Sequence, residues 1–254
     1  MVRRFTRDVL WKEAQVDGHT IMHLKGHDPR ELVDLVTNPV NEFVNSNRLD
    51  IYGNERKPEP EVYRAKYKRG FAAIRKFLYP DREIGTASST LFKIMQDATL
   101  RQVGFVEVPI AAVVNPNGEM SVISKWKYGK KAQSLEDYLR DGGVAFLDKK
   151  KAVCNAADLL ARLHSNGYAH NHAHTRNFIV VGRGKVSLID PTMLSTAGNS
   201  LEGLQKRSED VIRFLKTVDS ATNFSLVRYD RNDLQQSAAA AYAKRIRLEQ
   251  EKRS

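Results

Sequence analysis

The stretch from His170 to Asp190 constrains this chain more than any other. His170-Asn171-His172-Ala173-His174-Thr175-Arg176-Asn177 is polar and loop-like, Phe178-Ile179-Val180-Val181 is a short apolar run, Gly182-Arg183-Gly184 is a turn, and Val186-Ser187-Leu188-Ile189 leads to the acid Asp190. Short β-branched and aromatic runs on either side of glycines form an antiparallel strand pair. The pattern therefore predicts a loop, a strand, a tight turn and a second strand ending in a carboxylate. Ahead of it a long helix is predicted over 147–165. There Val153, Ala156, Ala157, Leu160 and Leu163 recur at helical spacing, and Gly167 supplies the stop. Cys154 lies within this apolar pattern and is read as a buried structural thiol. As the single cysteine it excludes an internal disulfide and a cysteine metal cluster, and it fits a reducing cytoplasm.

The rest of the chain divides by pattern. A short helix over 29–36 opens at Asp28-Pro29, and Leu49-Asp50-Ile51-Tyr52 alternates as a strand does. Residues 61–67 and 71–78 flank Lys68-Arg69-Gly70 and predict a hairpin. A helix is predicted over 86–102, with Gly104 beyond it. Strands over 106–114 and 120–126 flank the turn Asn115-Pro116-Asn117-Gly118. Ser134 caps a short helix with acids in its first turn. Ser208-Glu209-Asp210 is read as the start of a helix running to Val218, and a final helix is predicted over 234–252 with a basic end. Strands dominate the first half and helices the second. The expected organisation is an N-terminal extension over 1–48, a strand-rich lobe over 49–126 and a helical lobe over 127–254. This is an α+β chain of two unlike lobes, which suits a ligand bound at their junction.

Charge narrows the partners. The chain carries 41 Lys and Arg against 30 Asp and Glu, a formal net charge of +11. That balance favours polyanions, nucleic acid among them, although a solvated basic surface accounts for it equally well. No run of 18 apolar residues occurs, so no membrane span is expected, and the basic N-terminus lacks the apolar core of a secretory signal.

The 170–190 string resembles the catalytic loop and metal-binding segment of the protein-kinase-like superfamily. In overall economy the chain is most similar to small atypical members such as the Rio, lipopolysaccharide and aminoglycoside kinases. Their H-x-D-x-H-x-x-N loop is matched by His170, His174 and Asn177. The resemblance spans about residues 49–218 and is most specific over 164–190. It implies a two-lobed kinase-like fold with an antiparallel-sheet N-lobe and a helical C-lobe, binding ATP and Mg²⁺ in the inter-lobe cleft. It places Asn177 and Asp190 as metal ligands, and oxygen donors suit a hard cation. It aligns Arg75 with the phosphate-gripping Lys of the V-A-I-K strand, with Lys76 beside it. It puts Lys125-Trp126-Lys127 at the adenine-binding hinge, and makes Asp210 the acid of a large helix that ties down the catalytic loop.

The chain departs from that family at several points, with Pro191 and Thr192 standing where the Phe and Gly follow the metal-binding acid. His172 stands where the family has its catalytic Asp, Arg75 replaces the Lys, and only Gly53 is present where a glycine-rich loop belongs. The 86–102 helix offers no Glu, with Asp97 and Glu83 as nearby substitutes. His172 admits three readings. It can act as a base, since a neutral imidazole accepts a proton near pH 6.5 but carries no negative charge. It can mark a pseudokinase scaffold or nucleic-acid-associated binding protein without catalysis. Or the alternating His170, His172 and His174 can bind Zn²⁺, if they lie on a strand. The first implies nucleotide as ligand with a protein or small molecule as phosphate acceptor, and the second implies nucleotide or a partner.

Overall fold

The computed structural model describes residues 11–38, 42–45, 61–77, 109–126, 132–182, 184–189, 194–223, 226 and 228–252. The expected strand at 49–52, the helix at 86–102 and Asp190 lie outside them, as do Glu83 and Asp97. The chain divides into two compact units: Met1–Ala98 with Val108–Lys127, and Thr99–Glu107 with Tyr128–Ser254. Among the described residues no helix is long and apolar enough to cross a membrane.

The first unit is built on a seven-stranded sheet, every described pair antiparallel. Its strands are β1 (Trp11–Val16), β2 (His19–Leu24), β3 (Glu42–Asn45), β4 (Glu61–Tyr67), β5 (Gly70–Phe77), β6 (Pro109–Val114) and β7 (Met120–Trp126), in the order β1-β2-β6-β7-β5-β4-β3. Helix α1 (Pro29–Thr37) starts where expected: Asp28 accepts from the backbone N–H of Arg30, and Pro29 occupies the first turn, where a missing N–H costs nothing. Leu32, Val33, Leu35 and Val36 of α1 share one core with Ile21, Ala65, Ala72, Ile74, Ala111, Val113 and Ile123 of the sheet. Fully burying each leucine, isoleucine or valine among them contributes about 1.5–3 kcal/mol.

The expected hairpin is present, with Tyr67 opposite Gly70 and Lys68 at φ 51° in the turn. The pair around the 115–118 turn is present too, with Gly118 at φ 87°. Residues 1–48 differ from their reading as a separate extension, because their described part supplies three strands and α1 to this unit. Asp17 and Gly18, at φ 49° and 78°, make the two-residue turn that joins β1 to β2.

The second unit is mainly helical. Helix α2 (Leu135–Arg140) is capped by Ser134, which accepts from the Asp137 N–H. Helix α3 (Phe146–Ser165) buries Val153, Ala156, Ala157, Leu160 and Leu163, the residues predicted to line it, and ends before Gly167 at φ 82°. Short strand β8 (Gln133–Ser134) precedes these helices, and β9 (Tyr168–Ala169), β10 (Phe178–Val180), β11 (Val186–Leu188) and β12 (Ser195–Thr196) follow them. β10 and β11 form the expected antiparallel pair, β8 pairs with the other edge of β10, and β9 pairs with β12.

Helix α4 (Leu201–Thr222) corrects the sequence reading: it begins at the Ser200 cap, so Ser208-Glu209-Asp210 is mid-helix. Ser200 accepts from the Gly203 N–H, an equally good cap signal eight residues earlier. Helix α5 (Arg228–Glu251) starts six residues ahead of its expected beginning and packs along α3. Lys150–Asp233 (2.8 Å) and Arg245–Asp158 join these two helices, and the Cys154 thiol lies 3.6 Å from the Ser237 carbonyl. Cys154 is half-buried, and burial raises its pKa.

Candidate functional site

The site lies where α3 runs through β9 into the loop ahead of β10. Four ties fix that loop. The His170 N–H donates to Asp210 Oδ2 at 2.6 Å, and His170 Nε2 lies 3.0 Å from the Ile189 carbonyl. The Asn171 carbonyl accepts from the Arg213 guanidinium, and the Thr175 N–H donates to Thr217 Oγ1 at 3.1 Å. Asp210, Arg213 and Thr217 all belong to α4, at spacings that place them along one side of the helix. Asn171 sits at φ 60°, a left-handed conformation that asparagine tolerates, and its side chain donates to Ser195 Oγ at 2.8 Å.

Asn177 closes the loop. It ends a single 3₁₀ turn (Thr175–Asn177), its amide nitrogen donates to the His172 carbonyl at 2.9 Å, and its own backbone carbonyl accepts from the Ile189 N–H at 2.8 Å. With its nitrogen tied back, its Oδ1 accepts no hydrogen bond among the described residues. That arrangement presents an oxygen donor of the kind a hard cation takes. His172 is half-buried and sits edge-on to His174, ring centroids 4.5 Å apart.

Beneath the loop runs a buried relay. Asp210, 1% exposed, also meets His164 Nε2 at 3.1 Å, and His164 Nδ1 meets the Tyr242 hydroxyl at 2.6 Å. Burial pushes the Asp210 carboxyl up, but donation from His164 and from the His170 amide outweighs it and holds the group below the ordinary carboxylate range. Burial lowers His164 and raises Tyr242 to about 12. The consistent state is a carboxylate, a neutral imidazole donating from Nε2, and a phenol donating to Nδ1. This relay links α5, α3, α4 and the loop.

His172 and Asn177, predicted together, are joined here through the 2.9 Å bond. His170 is fully buried, a packed structural residue. The three alternating histidines lie on a loop rather than a strand. Among the described residues no group of His, Cys, Asp and Glu converges to hold a metal.

In the first unit the register separates the adjacent pair Arg75 and Lys76. Arg75 is 6% exposed and opposite Val62 and Val122, whereas Lys76 faces the other way with its ammonium 5.0 Å over the Tyr63 ring. Lys125 is exposed and pairs with Ala72, and Trp126 ends β7 opposite Phe71. His164, Tyr242, Arg213 and Thr217 escaped the sequence reading. A signal did exist for the α4 face: Asp210, Phe214, Val218 and Ala221, all buried, recur every three or four residues. Against known proteins, the sequence matches no family model and no curated relative.

Proposed function

We propose that the protein is a divergent, two-lobed member of the protein-kinase-like superfamily that binds ATP with Mg²⁺, and that its phosphoryl transfer is weakened by His172. The observation that carries this reading is the 2.6 Å bond from the His170 amide to Asp210 in the middle of α4. It is the tie that the resemblance assigns to that acid, and an acid in a first helical turn has no reason to make it. The orientation of Asn177 supports the same reading. Asp190 and the first-unit residues Arg75, Lys76, Lys125 and Trp126 enter it through the resemblance alone.

Such chemistry rests on positioning and charge neutralisation. Mg²⁺, when bound, offsets charge on the phosphate oxygens, and Asn177 Oδ1 is the donor available to it in the described loop. In transfer the acceptor oxygen bonds to the γ-phosphorus as the bond to the β,γ-bridging oxygen breaks, and ADP leaves with that electron pair. The acceptor's hydroxyl proton passes to His172. A neutral imidazole takes that proton but cannot supply the carboxylate's negative charge, so turnover is slow. The acceptor is a protein or a small molecule. A pseudokinase scaffold that binds nucleotide without transfer is the second reading. It is favoured by the packing of His172 edge-on to His174.

Thermal melting with and without MgATP tests the proposal, with Asp190→Ala as the control. A midpoint raised by MgATP in the parent but not in the variant is expected. No nucleotide-dependent shift in the parent would sink it.

A further inference from the structure

We propose that the tip of the β4–β5 hairpin is a binding surface for single-stranded nucleic acid. Around the tip stand Arg64, Lys66, Lys68 and Arg69, with no acid between Val62 and Ile74. Phe71 is 45% exposed and is the one exposed large apolar residue described in this unit. Lys66 pairs directly opposite it across the strands, and the Arg64 guanidinium lies 5.1 Å over its ring. Since side chains alternate along a strand, Arg64, Lys66 and Phe71 share one face. Lys66 and Arg69 are exposed and make no ion pair or side-chain hydrogen bond among the described residues. Lys68 is differently used, with its ammonium on the Gly26 carbonyl at 2.9 Å.

An open aromatic ring flanked by exposed cations fits unpaired bases joined by phosphates. The ring stacks on a base of any identity and the cations meet the backbone. A duplex keeps its bases stacked internally and offers that ring nothing. A membrane asks for several apolar anchors, and Phe71 is the one exposed large apolar side chain described in this unit. The surface is independent of the nucleotide reading and rests on none of its residues.

The test is fluorescence anisotropy of the full chain with a short labelled single-stranded RNA of mixed sequence, across a salt series. The parent is expected to bind, and Phe71→Ala to weaken binding about tenfold at fixed salt. Phe71→Trp should retain binding. Leu147→Ala, which truncates a 75% exposed leucine in the other unit, should change nothing. Replacing Lys66 and Arg69 together by Ala should lower the salt slope by about 1.4, or ~0.7 for each phosphate that is no longer neutralised. Because these side chains are exposed, unchanged melting curves separate weakened binding from failed folding. Binding by Phe71→Ala equal to the parent's, equal affinity for duplex, or binding to anionic vesicles with none to RNA each overturns the proposal.

Discussion

The carboxylate of Asp210 accepts the backbone N–H of His170 at 2.6 Å from the middle of a helix, and the same oxygen meets His164 at 3.1 Å. Both donors are buried. Removing the carboxylate leaves each without a partner, at about 1–3 kcal/mol apiece. Asp210→Ala should therefore lose about 2–6 kcal/mol of stability, measured by urea denaturation. If nucleotide binding depends on the loop, the variant should also lose the MgATP shift under conditions where it remains folded. A denaturation midpoint equal to the parent's would mean that the tie contributes nothing to the fold.

The relay fixes the sign of an acid effect. His164 has a folded pKa below its ordinary value, so the unfolded chain binds the proton first. Its contribution is complete above about pH 6.5 and is lost as pH falls from there toward the folded value. Asp210 is also held low, so its contribution is present above about pH 3.9 and is lost as pH falls through the folded value. The two act in the same direction, in successive windows. His164→Gln keeps an N–H for Asp210 and an oxygen for Tyr242 but has no titrating group. It should flatten the loss of stability as pH falls below about 6.5. Denaturation midpoints across that range check this, and a slope equal to the parent's would exclude His164 as its source.

Gly203 is a packing requirement in the first turn of α4. A Cβ there would clash with the Gly198 carbonyl oxygen and lie 3.0 Å from the Ala197 carbonyl carbon. Backbone atoms cannot swing aside as a side chain does. Alanine's better helix propensity returns about 1 kcal/mol at most, against about 1–3 kcal/mol for overpacking. Gly203→Ala should lower the thermal midpoint, and a variant more stable than the parent would show that the 197–203 backbone gives way freely.

Elements whose signals were local could be read from the sequence. Asp28-Pro29 and Ser134 start helices where their caps predict, and the 61–77 hairpin follows from alternation around a turn. Two things could not be read that way. β1 is an edge strand carrying Lys12, Glu13 and Gln15, so no apolar alternation marked it, although Asp17-Gly18 was a sound hairpin signal. In α4, two serines compete as caps, and the later one made Asp210 look like a first-turn acid instead of a buried anchor. Of the site, the loop was legible from its polar run between helix and strand, whereas the bond from Asn177 to the His172 carbonyl was not. Tyr242 was not, since only tertiary packing of α5 on α3 brings it 78 residues along the chain to His164.

His172 decides between transfer and binding alone, and two substitutions separate them. If it is the base, His172→Ala should reduce MgATP-dependent phosphoryl transfer by about 10²-fold or more, the usual contribution of a positioned base. His172→Asp restores the charge that the family uses and should raise transfer above the parent's. The MgATP melting shift should survive in both, because the Asn177 side chain is held by the backbone carbonyl of residue 172, which either substitution retains. Transfer undiminished in His172→Ala would remove this residue from the chemistry. Binding retained in all three proteins with no transfer in any, His172→Asp included, would leave the pseudokinase reading in place.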